Sequence, residues 1–233
     1  MKNESQPVVE YRCKRLFDLC VAVPALLLAL PVMILISLLV GAFLGTPVLF
    51  RQQRPGLHGK VFTLLKFRTM IGKFDAKGDL LPDSERITSF GRFLRSTSLD
   101  ELPELLQVIR GDMSIVGPRP LLVCYLDRYS SFQMRRHLVR PGITGLAQVN
   151  GRNSLTWEQK FANDIYYVEH QSVWLDLKII ALTIAKLVKR EGIDQCGAIG
   201  AQEFTGNETM GTAEGISAIP SCDQRDSAKP PYL

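Results

Sequence analysis

Residues 94–120, LRSTSLDELPELLQVIRGDMSIVGPRP, form the stretch from which the fold can be predicted. Two adjacent carboxylates, Asp100 and Glu101, precede apolar residues at positions i, i+3, i+4 and i+7, which predicts a short helix with one buried face. These apolar residues are Leu102, Leu105, Leu106 and Ile109. Gly111 follows them and predicts the end of the helix.

Pro103 restricts where this helix begins, because proline has no N–H group and is tolerated only in the first turn. That restriction favours Asp100 as the N-cap residue. Ser98 and Glu101 also have the spacing of a capping box, but this frame would place Pro103 beyond the free N–H groups. Either frame puts both carboxylates at the positive end of the helix, where free N–H groups can also bind phosphate oxygens.

Cations surround the two carboxylates in the sequence. They are Arg92, Arg95, Arg110 and Arg119. Arg119 stands between two prolines in GPRP, and a rigidly presented arginine suits bidentate contact with phosphate. A capped helix with an acidic first turn is the plainer interpretation of this stretch taken alone. The neighbouring arginines favour a phosphate-binding site.

The charge of the chain is unevenly distributed. The 233 residues carry a net charge of +5, but residues 191–233 alone carry 7 acidic and 2 basic side chains. The remainder is strongly basic, which indicates an anionic partner: nucleic acid, lipid headgroups or a phosphorylated substrate. The length predicts one compact domain with appendages. Five cysteines without a CxxC pair predict neither a disulfide framework nor a zinc site, and they favour a reducing compartment.

An apolar run near the N-terminus predicts a membrane segment. Residues 19–50 contain no Asp, Glu, Lys or Arg, and about 20 apolar residues suffice to cross a bilayer as a helix. Pro24 and Pro31 interrupt the run, and a proline near the middle bends a helix. Basic residues flank both ends, so the positive-inside rule draws both ends to the cytoplasm. We therefore expect a re-entrant helix, with a proline-kinked spanning helix as the alternative.

The chain after this run predicts a small β-hairpin. Residues 46–50 and 60–65 are short, apolar and β-branched or aromatic, and a turn signal lies around residues 54–56. Lys66 and Arg68, in the segment KFRTM, stand at the end of the second strand. Both cations are candidate phosphate ligands.

The second half of the chain predicts three helices and one irregular loop. The helices cover residues 125–136, 157–170 and 173–189. The last two are amphipathic, and the final one could pack on the core or lie on a membrane interface. Glycine and amide side chains dominate residues 141–153, so the backbone there can approach a ligand closely, and Arg152 is its candidate cation. Asp176 lies in the first turn of the last helix, where a lone carboxylate is most often a cap.

Seven features occur in order along the chain. They are KRLFD, the proline-bearing apolar run, RQQRPG, KFRTM, STSLDELPELLQVIRGDMSIVGPRP, VRPGITGLAQVNGRN and WLDLKI. In this order they resemble the small monotopic phosphoglycosyl transferases, bacterial sugar transferases that begin glycan assembly on a polyprenyl phosphate. The resemblance covers about residues 11–193. Leu30 precedes Pro31 where the family pattern carries a small polar residue, so this chain departs from the pattern at the bend.

The resemblance implies transfer of a sugar 1-phosphate from a UDP-sugar to undecaprenyl phosphate, with release of UMP. It implies that Asp100 is the nucleophile that attacks the β-phosphate and that Glu101 assists near a Mg2+ ion, so both carboxylates are expected metal ligands. Together with the basic neighbours found above, it gives a set of expected substrate-binding residues. They are Lys66, Arg68, Arg95, Arg119, Arg152 and Asp176.

These expectations define an α+β, mainly helical protein with one compact cytoplasmic domain, a small β-hairpin and amphipathic interfacial helices. The predicted segments are a basic collar at 1–15, a re-entrant membrane helix at 16–50, a catalytic domain at 51–193 and a flexible acidic tail at 194–233. The resemblance implies a bacterial inner membrane location with the catalytic domain on the cytoplasmic face. Membrane lipids are expected partners, and homo-oligomerisation is left open.

Two other classes of protein account for less of the sequence. A non-catalytic membrane adaptor with a basic headgroup-binding surface would explain the collar, the charge and the amphipathic helices, but not adjacent carboxylates among arginines. A nucleic-acid-binding protein would explain only the basic charge, and we expect no nucleic-acid partner.

Overall fold

A 31-residue helix, α1 (Lys14–Leu44), opens the part of the chain that the computed structural model describes, which comprises residues 10–151, 154–189 and 203–206. By length and composition alone, α1 could cross a membrane. Pro24 and Pro31 lie inside the helix, which continues through both, because the surrounding leucines and alanines favour helical backbone. The re-entrant path therefore stays a prediction, and the helix is shorter than the predicted segment 16–50.

The N-terminal end of α1 is joined to the rest of the protein by polar contacts. Arg15 donates a hydrogen bond to the carbonyl oxygen of Ile109 at 2.6 Å. Asp18 Oδ1 accepts from Ser114 Oγ at 2.9 Å and from the Ile115 N–H at 3.1 Å. Because charged groups and backbone groups bond each other here, the angle at which α1 leaves the domain is fixed.

The predicted hairpin is confirmed, with its turn displaced along the chain. The antiparallel strands are β1 (Leu49–Pro55) and β2 (Val61–Phe67). The turn lies at residues 56–60 rather than at 54–56, because two glycines shape it. The Gly56 N–H donates to the Lys60 carbonyl oxygen at 2.8 Å, and Gly59 has a φ of 74° that favours glycine. The arginine and proline of the predicted turn belong to β1.

Two short helices follow β2. They are α2 (Asp83–Arg86) and α3 (Ser89–Ser96). The Thr88 side chain caps α3 by accepting from the Gly91 N–H at 2.9 Å. A Cβ on Gly91 would lie 1.8 Å from the carbonyl oxygen of Thr69. The glycine therefore allows α3 to pack directly against the backbone that follows β2.

The centre of the 94–120 stretch differs from the prediction. A 3-10 turn covers Leu99–Glu101, and helix α4 covers Glu104–Arg110. Asp100 lies inside the turn and does not cap α4, where Pro103 occupies the capping position. Pro103 has no N–H, so the residues before it bond at closer spacing: the Leu102 N–H bonds to the carbonyl oxygen three residues earlier at 3.4 Å. Gly111, with a φ of 97°, ends α4 as predicted.

A second sheet replaces part of the loop predicted at residues 141–153. Strands β3 (Ser114–Val116) and β4 (Gly142–Thr144) pair in parallel. A Cβ on Gly142 would lie 2.1 Å from the Gly117 nitrogen, so the two backbones approach as closely as glycine permits. Strands of three residues carry no readable alternation, and the prediction of an irregular loop is wrong here for that reason.

The helix predicted at residues 125–136 is broken into short pieces. These are a 3-10 segment (Val123–Arg128), helix α5 (Ser131–Met134) and a second 3-10 segment (Arg135–Leu138). Ser130 and Gln133 form a capping box that starts a new helix in the middle of the predicted one. Helix α6 (Leu146–Asn150) then follows β4.

The two amphipathic helices are confirmed. They are α7 (Trp157–His170) and α8 (Val173–Lys189). Helix α7 buries Phe161, Ile165 and Val168, whereas Trp174 on α8 is 81% exposed. The contact of the outer face of α8 with a membrane stays a prediction. The protein is mainly helical with two small sheets, as the predicted α+β class requires.

Four residues of the predicted flexible tail, 203–206, pack against the domain. Phe204 is 3% exposed and belongs to a cluster with Tyr125 and Phe161. The prediction of a flexible tail at 194–233 is wrong for these four residues, because an aromatic side chain gains free energy by leaving water. The rest of that segment lies outside the described residues.

One cysteine also departs from the prediction. Cys124 is disulfide-bonded, whereas Cys13 and Cys20 are free thiols. The sequence spacing of the cysteines carried no sign of this pairing, because a disulfide depends on distance in the fold.

Candidate active site

Three separate segments meet at the carboxylates of the 94–120 stretch. Glu101 Oε1 accepts hydrogen bonds from Lys66 Nζ at 2.6 Å and from Arg119 Nη2 at 2.7 Å. Lys66 Nζ also lies 3.1 Å from Glu104 Oε1. Strand β2, the turn before α4 and the segment after β3 thus converge on one charged cluster, which is the candidate active site.

Gln107 on α4 aligns this helix with β2. Its buried amide accepts from the Leu65 N–H at 3.2 Å and donates to the Thr63 carbonyl oxygen. The side chain therefore satisfies backbone groups on the strand edge that β1 does not cover. Since Lys66 is the next residue of β2, this contact holds its ammonium group opposite the start of α4.

The backbone of Arg119 is held from the opposite side. Pro118 and Pro120 restrict the flanking backbone, and Arg136 Nη2 donates to the Arg119 carbonyl oxygen at 2.7 Å. Arg136 is itself paired with Asp164 at 2.8 Å in a buried salt bridge. The Arg119 side chain remains 44% exposed, so its guanidinium can meet a ligand while it contacts Glu101.

Asp100 is a buried carboxylate with both a negative and several positive side chains nearby. It is 7% exposed, and within the described part of the chain no hydrogen bond or ion pair engages its carboxylate. Burial, and then the charge of Glu101, raise the pKa of Asp100 to about 6 against three nearby cations. These cations are Lys66, Arg95 and Arg119. Asp100 is therefore ionised at neutral pH, more basic than an ordinary aspartate and free to react.

The two glutamates of the cluster have opposite protonation tendencies. Burial raises the pKa of Glu101, but Arg119 and Lys66 outweigh burial and hold it well below its usual range. Burial raises the pKa of Glu104 to about 7 despite the proximity of Lys66. Sequence reasoning missed Glu104, and the signal that could have found it is its place three residues after Glu101, on the same helical face.

Arg95 and Arg68 have different roles. Arg95 Nε donates to Thr69 Oγ1 at 3.0 Å, and its charge lowers the pKa of Asp100. Arg68 is buried, and its guanidinium donates to the carbonyl oxygens of Leu44 and Thr46. The substrate-binding role predicted for Arg68 stays a prediction, and in this structure its guanidinium binds the carbonyls at the end of α1.

Asp176 belongs to a separate buried network. Its carboxylate accepts from Tyr11 Oη at 2.8 Å, from Lys14 Nζ at 2.5 Å and from Tyr167 Oη at 2.8 Å. The side chain is fully buried. Its predicted contact with substrate stays a prediction, and in this structure it joins α8 to the base of α1. Arg152 lies outside the described residues.

The donor groups at the site bear on the expected Mg2+ ion. Within the described ranges, no group of three His, Cys, Asp or Glu side chains could hold a metal. Mg2+ often binds through one or two carboxylates together with substrate phosphates. Asp100 has no competing partner among the described residues and fits an ion shared with a phosphorylated ligand. Glu101 fits less well as a direct ligand, because two cations already occupy the same carboxylate oxygen.

The fold and the site define the class of the protein. An apolar helix fixed to a domain with buried carboxylates and convergent cations suits an enzyme that transfers charged groups beside a membrane. The chain belongs to the bacterial sugar transferase family, whose family model matches residues 9–190. The protein is therefore a transferase, and its apolar helix is consistent with membrane association.

Individual relatives resemble the chain over most of its length. The uncharacterized sugar transferase EpsL of Bacillus subtilis is 54% identical over 195 residues, which cover 83% of this chain and 96% of the relative. The UDP-glucose:undecaprenyl-phosphate glucose-1-phosphate transferase of Klebsiella pneumoniae is 43% identical over 74% of this chain. That match covers 39% of the Klebsiella protein, whereas a match to the enzyme of the same name from Caulobacter vibrioides, 41% identical over 75% of this chain, covers 69%.

Proposed function

We propose that this chain transfers a sugar 1-phosphate from a UDP-sugar to undecaprenyl phosphate and releases UMP, through a covalent intermediate on Asp100. The names of the Klebsiella and Caulobacter relatives support the donor and acceptor classes. The observation that carries the proposal is the Asp100 carboxylate, which is buried, unengaged within the described residues and adjacent to paired cations.

In the first step an Asp100 carboxylate oxygen attacks the β-phosphorus of the UDP-sugar. A bond forms between that oxygen and phosphorus, and the bond from the β-phosphorus to the bridging oxygen breaks. UMP leaves with the bonding electron pair, and the sugar phosphate remains as an acyl phosphate on the protein. The raised pKa of Asp100 supports this step, because a more basic carboxylate is the stronger nucleophile.

In the second step a phosphate oxygen of undecaprenyl phosphate attacks the same phosphorus. The bond to the Asp100 oxygen breaks, so the carboxylate is regenerated and the lipid diphosphate sugar departs. Because there are two separate displacements, the soluble product UMP can leave before the membrane-bound acceptor enters. This order of events defines a ping-pong reaction.

The cations around Asp100 reduce the repulsion between a carboxylate and an anionic diphosphate. Lys66 and Arg119 both bind Glu101 in this structure, and Arg119 is exposed enough to turn toward a phosphate. Glu101 keeps these cations in place without cancelling the charge of both. A bound Mg2+ ion, held by Asp100 and the substrate phosphates, would neutralise further negative charge on the diphosphate.

Intact-protein mass spectrometry tests the covalent step directly. Purified protein is mixed with Mg2+ and a panel of UDP-sugars, without polyprenyl phosphate. We expect a mass increase of one phosphosugar in the wild type and in the exposed control Asp112→Asn, and none in Asp100→Asn. UMP release only after lipid addition, without any adduct, would establish direct transfer instead. The absence of both products with every donor would favour a non-catalytic membrane adaptor.

We also propose that α1 enters and leaves the membrane by its cytoplasmic face, with the catalytic domain on that side of the bacterial inner membrane. Basic residues before and after the apolar run support this path. An impermeant maleimide tests it in inverted vesicles, using Cys13 or Lys60→Cys as the single cysteine. Labelling of both positions in inverted vesicles supports the re-entrant path, and labelling of only one supports a spanning helix.

A further inference from the structure

A pocket of aromatic side chains on the surface of the domain holds the C-terminal segment 203–206. Phe204 is the residue at its centre and is 3% exposed. Its ring centroid lies 5.1 to 5.8 Å from four other rings. These rings belong to Tyr125, Tyr129, Trp157 and Phe161. They form what we call the aromatic pocket, and it encloses one phenylalanine side chain.

Polar contacts at the mouth of the aromatic pocket recognise the segment as well. Tyr125 Oη accepts from the Phe204 N–H at 3.2 Å, and Arg128 Nη1 donates to the Phe204 carbonyl oxygen. The same Arg128 nitrogen lies 2.9 Å from Glu203 Oε1. The aromatic pocket and Arg128 together thus contact the backbone N–H, the backbone carbonyl and the ring of Phe204, and also the carboxylate of Glu203. Such combined backbone and side-chain contacts are typical of peptide recognition rather than of incidental packing.

This segment lies beyond the part of the chain that the family model matches, which ends at residue 190. The aromatic pocket lies within the matched part, on the 3-10 segment after β3 and on α7. The docked segment is thus an addition outside the matched domain, seated on a surface of that domain.

The aromatic pocket is also in contact with the candidate active site through one arginine. The Arg136 guanidinium lies 6.0 Å from the Tyr129 ring and 5.9 Å from the Phe161 ring, both of which touch Phe204. Arg136 donates to the carbonyl oxygen of Arg119, and the Arg119 side chain binds Glu101. Filling the pocket therefore packs the two rings against the residue that holds the Arg119 backbone.

We propose that residues 203–206 are a docking motif of this chain, specific for a Glu-Phe pair, and that its seating in the aromatic pocket braces Arg119 at the active site. Docking is independent of the reaction, whereas the bracing effect rests on the proposed function. Phe204 is a positioning residue in this account, since it acts through Arg136 and touches no reacting atom.

Tryptophan emission measures docking without any substrate. The chain has two tryptophans, so the exposed Trp174 is replaced by Phe to leave Trp157 as the reporter. The emission is measured in reductant, so that the Cys124 disulfide beside the aromatic pocket does not affect the Trp157 signal. In this background we expect Phe204→Ala to shift the Trp157 emission to the red, because the indole gains water. Phe132→Ala, which removes a phenylalanine that is 49% exposed, is expected to leave the emission unchanged.

A synthetic peptide of residues 200–209 tests the specificity of the aromatic pocket. Added in excess to full-length Phe204→Ala protein, it is expected to restore the blue-shifted emission, and a peptide with Glu203 and Phe204 exchanged is expected not to. An unchanged emission in Phe204→Ala, or equal rescue by both peptides, overturns the docking proposal. Glu203→Gln keeps Phe204 but removes the charge that Arg128 binds, so we expect a red shift of the Trp157 emission smaller than that of Phe204→Ala. Because this variant leaves the aromatic pocket filled, its shift does not depend on how well the alanine variant folds.

Turnover measures the bracing effect. UMP release is followed with undecaprenyl phosphate and the UDP-sugar that gives the highest wild-type rate. We expect Phe204→Ala to lower kcat about tenfold with little change in KM, because a displaced cation costs most in the transition state, and the native peptide to restore kcat. Undocking without a fall in kcat overturns the bracing. A wild type that releases no UMP refutes the proposed function instead, and the emission results then still decide docking.

Discussion

Removing the charge of Asp100 should stabilise the protein at neutral pH. In the folded state, burial and Glu101 raise the pKa of this carboxyl from 3.8 to about 6. The folded protein therefore holds the Asp100 proton to a higher pH than the unfolded chain does. Asp100 has no effect on stability below about pH 4, weakens the fold progressively between about pH 4 and pH 6, and imposes its full cost above pH 6.

The size of the cost follows from the displacement of the pKa. A displacement of about two units corresponds to about 3 kcal/mol at pH 8. Asparagine has nearly the same shape and cannot ionise, so Asp100→Asn should raise the free energy of unfolding by about 3 kcal/mol. For a chain of this length that is about 10 °C in Tm. The burial that makes this carboxylate more basic thus weakens the fold that holds it.

Thermal unfolding in detergent micelles at several pH values provides the assay. The difference in Tm between Asp100→Asn and the wild type should be largest at pH 8 and should vanish near pH 4. Asp112→Asn, which changes an exposed carboxylate of the same stretch, serves as the control and should leave Tm unchanged at both pH values. Equal Tm values at pH 8, or a difference that persists unchanged at pH 4, would refute the reasoning.

Three further outcomes are expected. The second-order rate constant of adduct formation at low donor and Mg2+ concentrations, which reports the pKa of the free enzyme, should fall about tenfold per pH unit below about 6 as Asp100 gains its proton. A rate constant that stays level down to pH 5 would contradict its role as nucleophile. Asp176→Asn should lower stability by about 3 kcal/mol because it breaks a buried ion pair; an unchanged Tm in thermal unfolding would show that the network contributes nothing. Gly91→Ala should lower the free energy of unfolding by about 3 kcal/mol, because its Cβ would meet the Thr69 carbonyl oxygen. Gly72→Ala, with its nearest contact at 3.6 Å, should leave the midpoint of chemical denaturation almost unchanged. Similar midpoints for both variants would contradict this packing.

Where sequence reasoning succeeded, the signal was local. Helices α1, α7 and α8 follow from apolar runs or helical periodicity, and the hairpin follows from two β-branched segments around a glycine turn. The pair of Asp100 and Glu101 was recognisable because adjacent carboxylates among arginines are unusual for a simple helix start. These features depend on neighbours within a few residues, which a sequence displays directly.

Where it failed, the deciding contacts join distant residues. Strands β3 and β4 pair across 28 positions, and neither is long enough to show alternation. Arg68 and Lys66 stand two residues apart in one motif, yet the structure turns one toward the end of α1 and the other toward Glu101. Residues two apart in a regular strand share one face, but β2 ends at Phe67, so Arg68 is free of that alternation, and the sequence does not show where the strand ends.

The sequence by itself determined the long apolar helix, the order of the main helices and the position of the carboxylate pair Asp100 and Glu101, because periodicity, charge and proline position act within a turn or two of chain. Only the tertiary structure decided that Glu104 shares Lys66, that Asp176 is buried at the base of α1 and that Phe204 fills an aromatic pocket. Burial and charge pairing between remote segments depend on distances in space, and they set both the pKa of Asp100 and the position of residues 203–206.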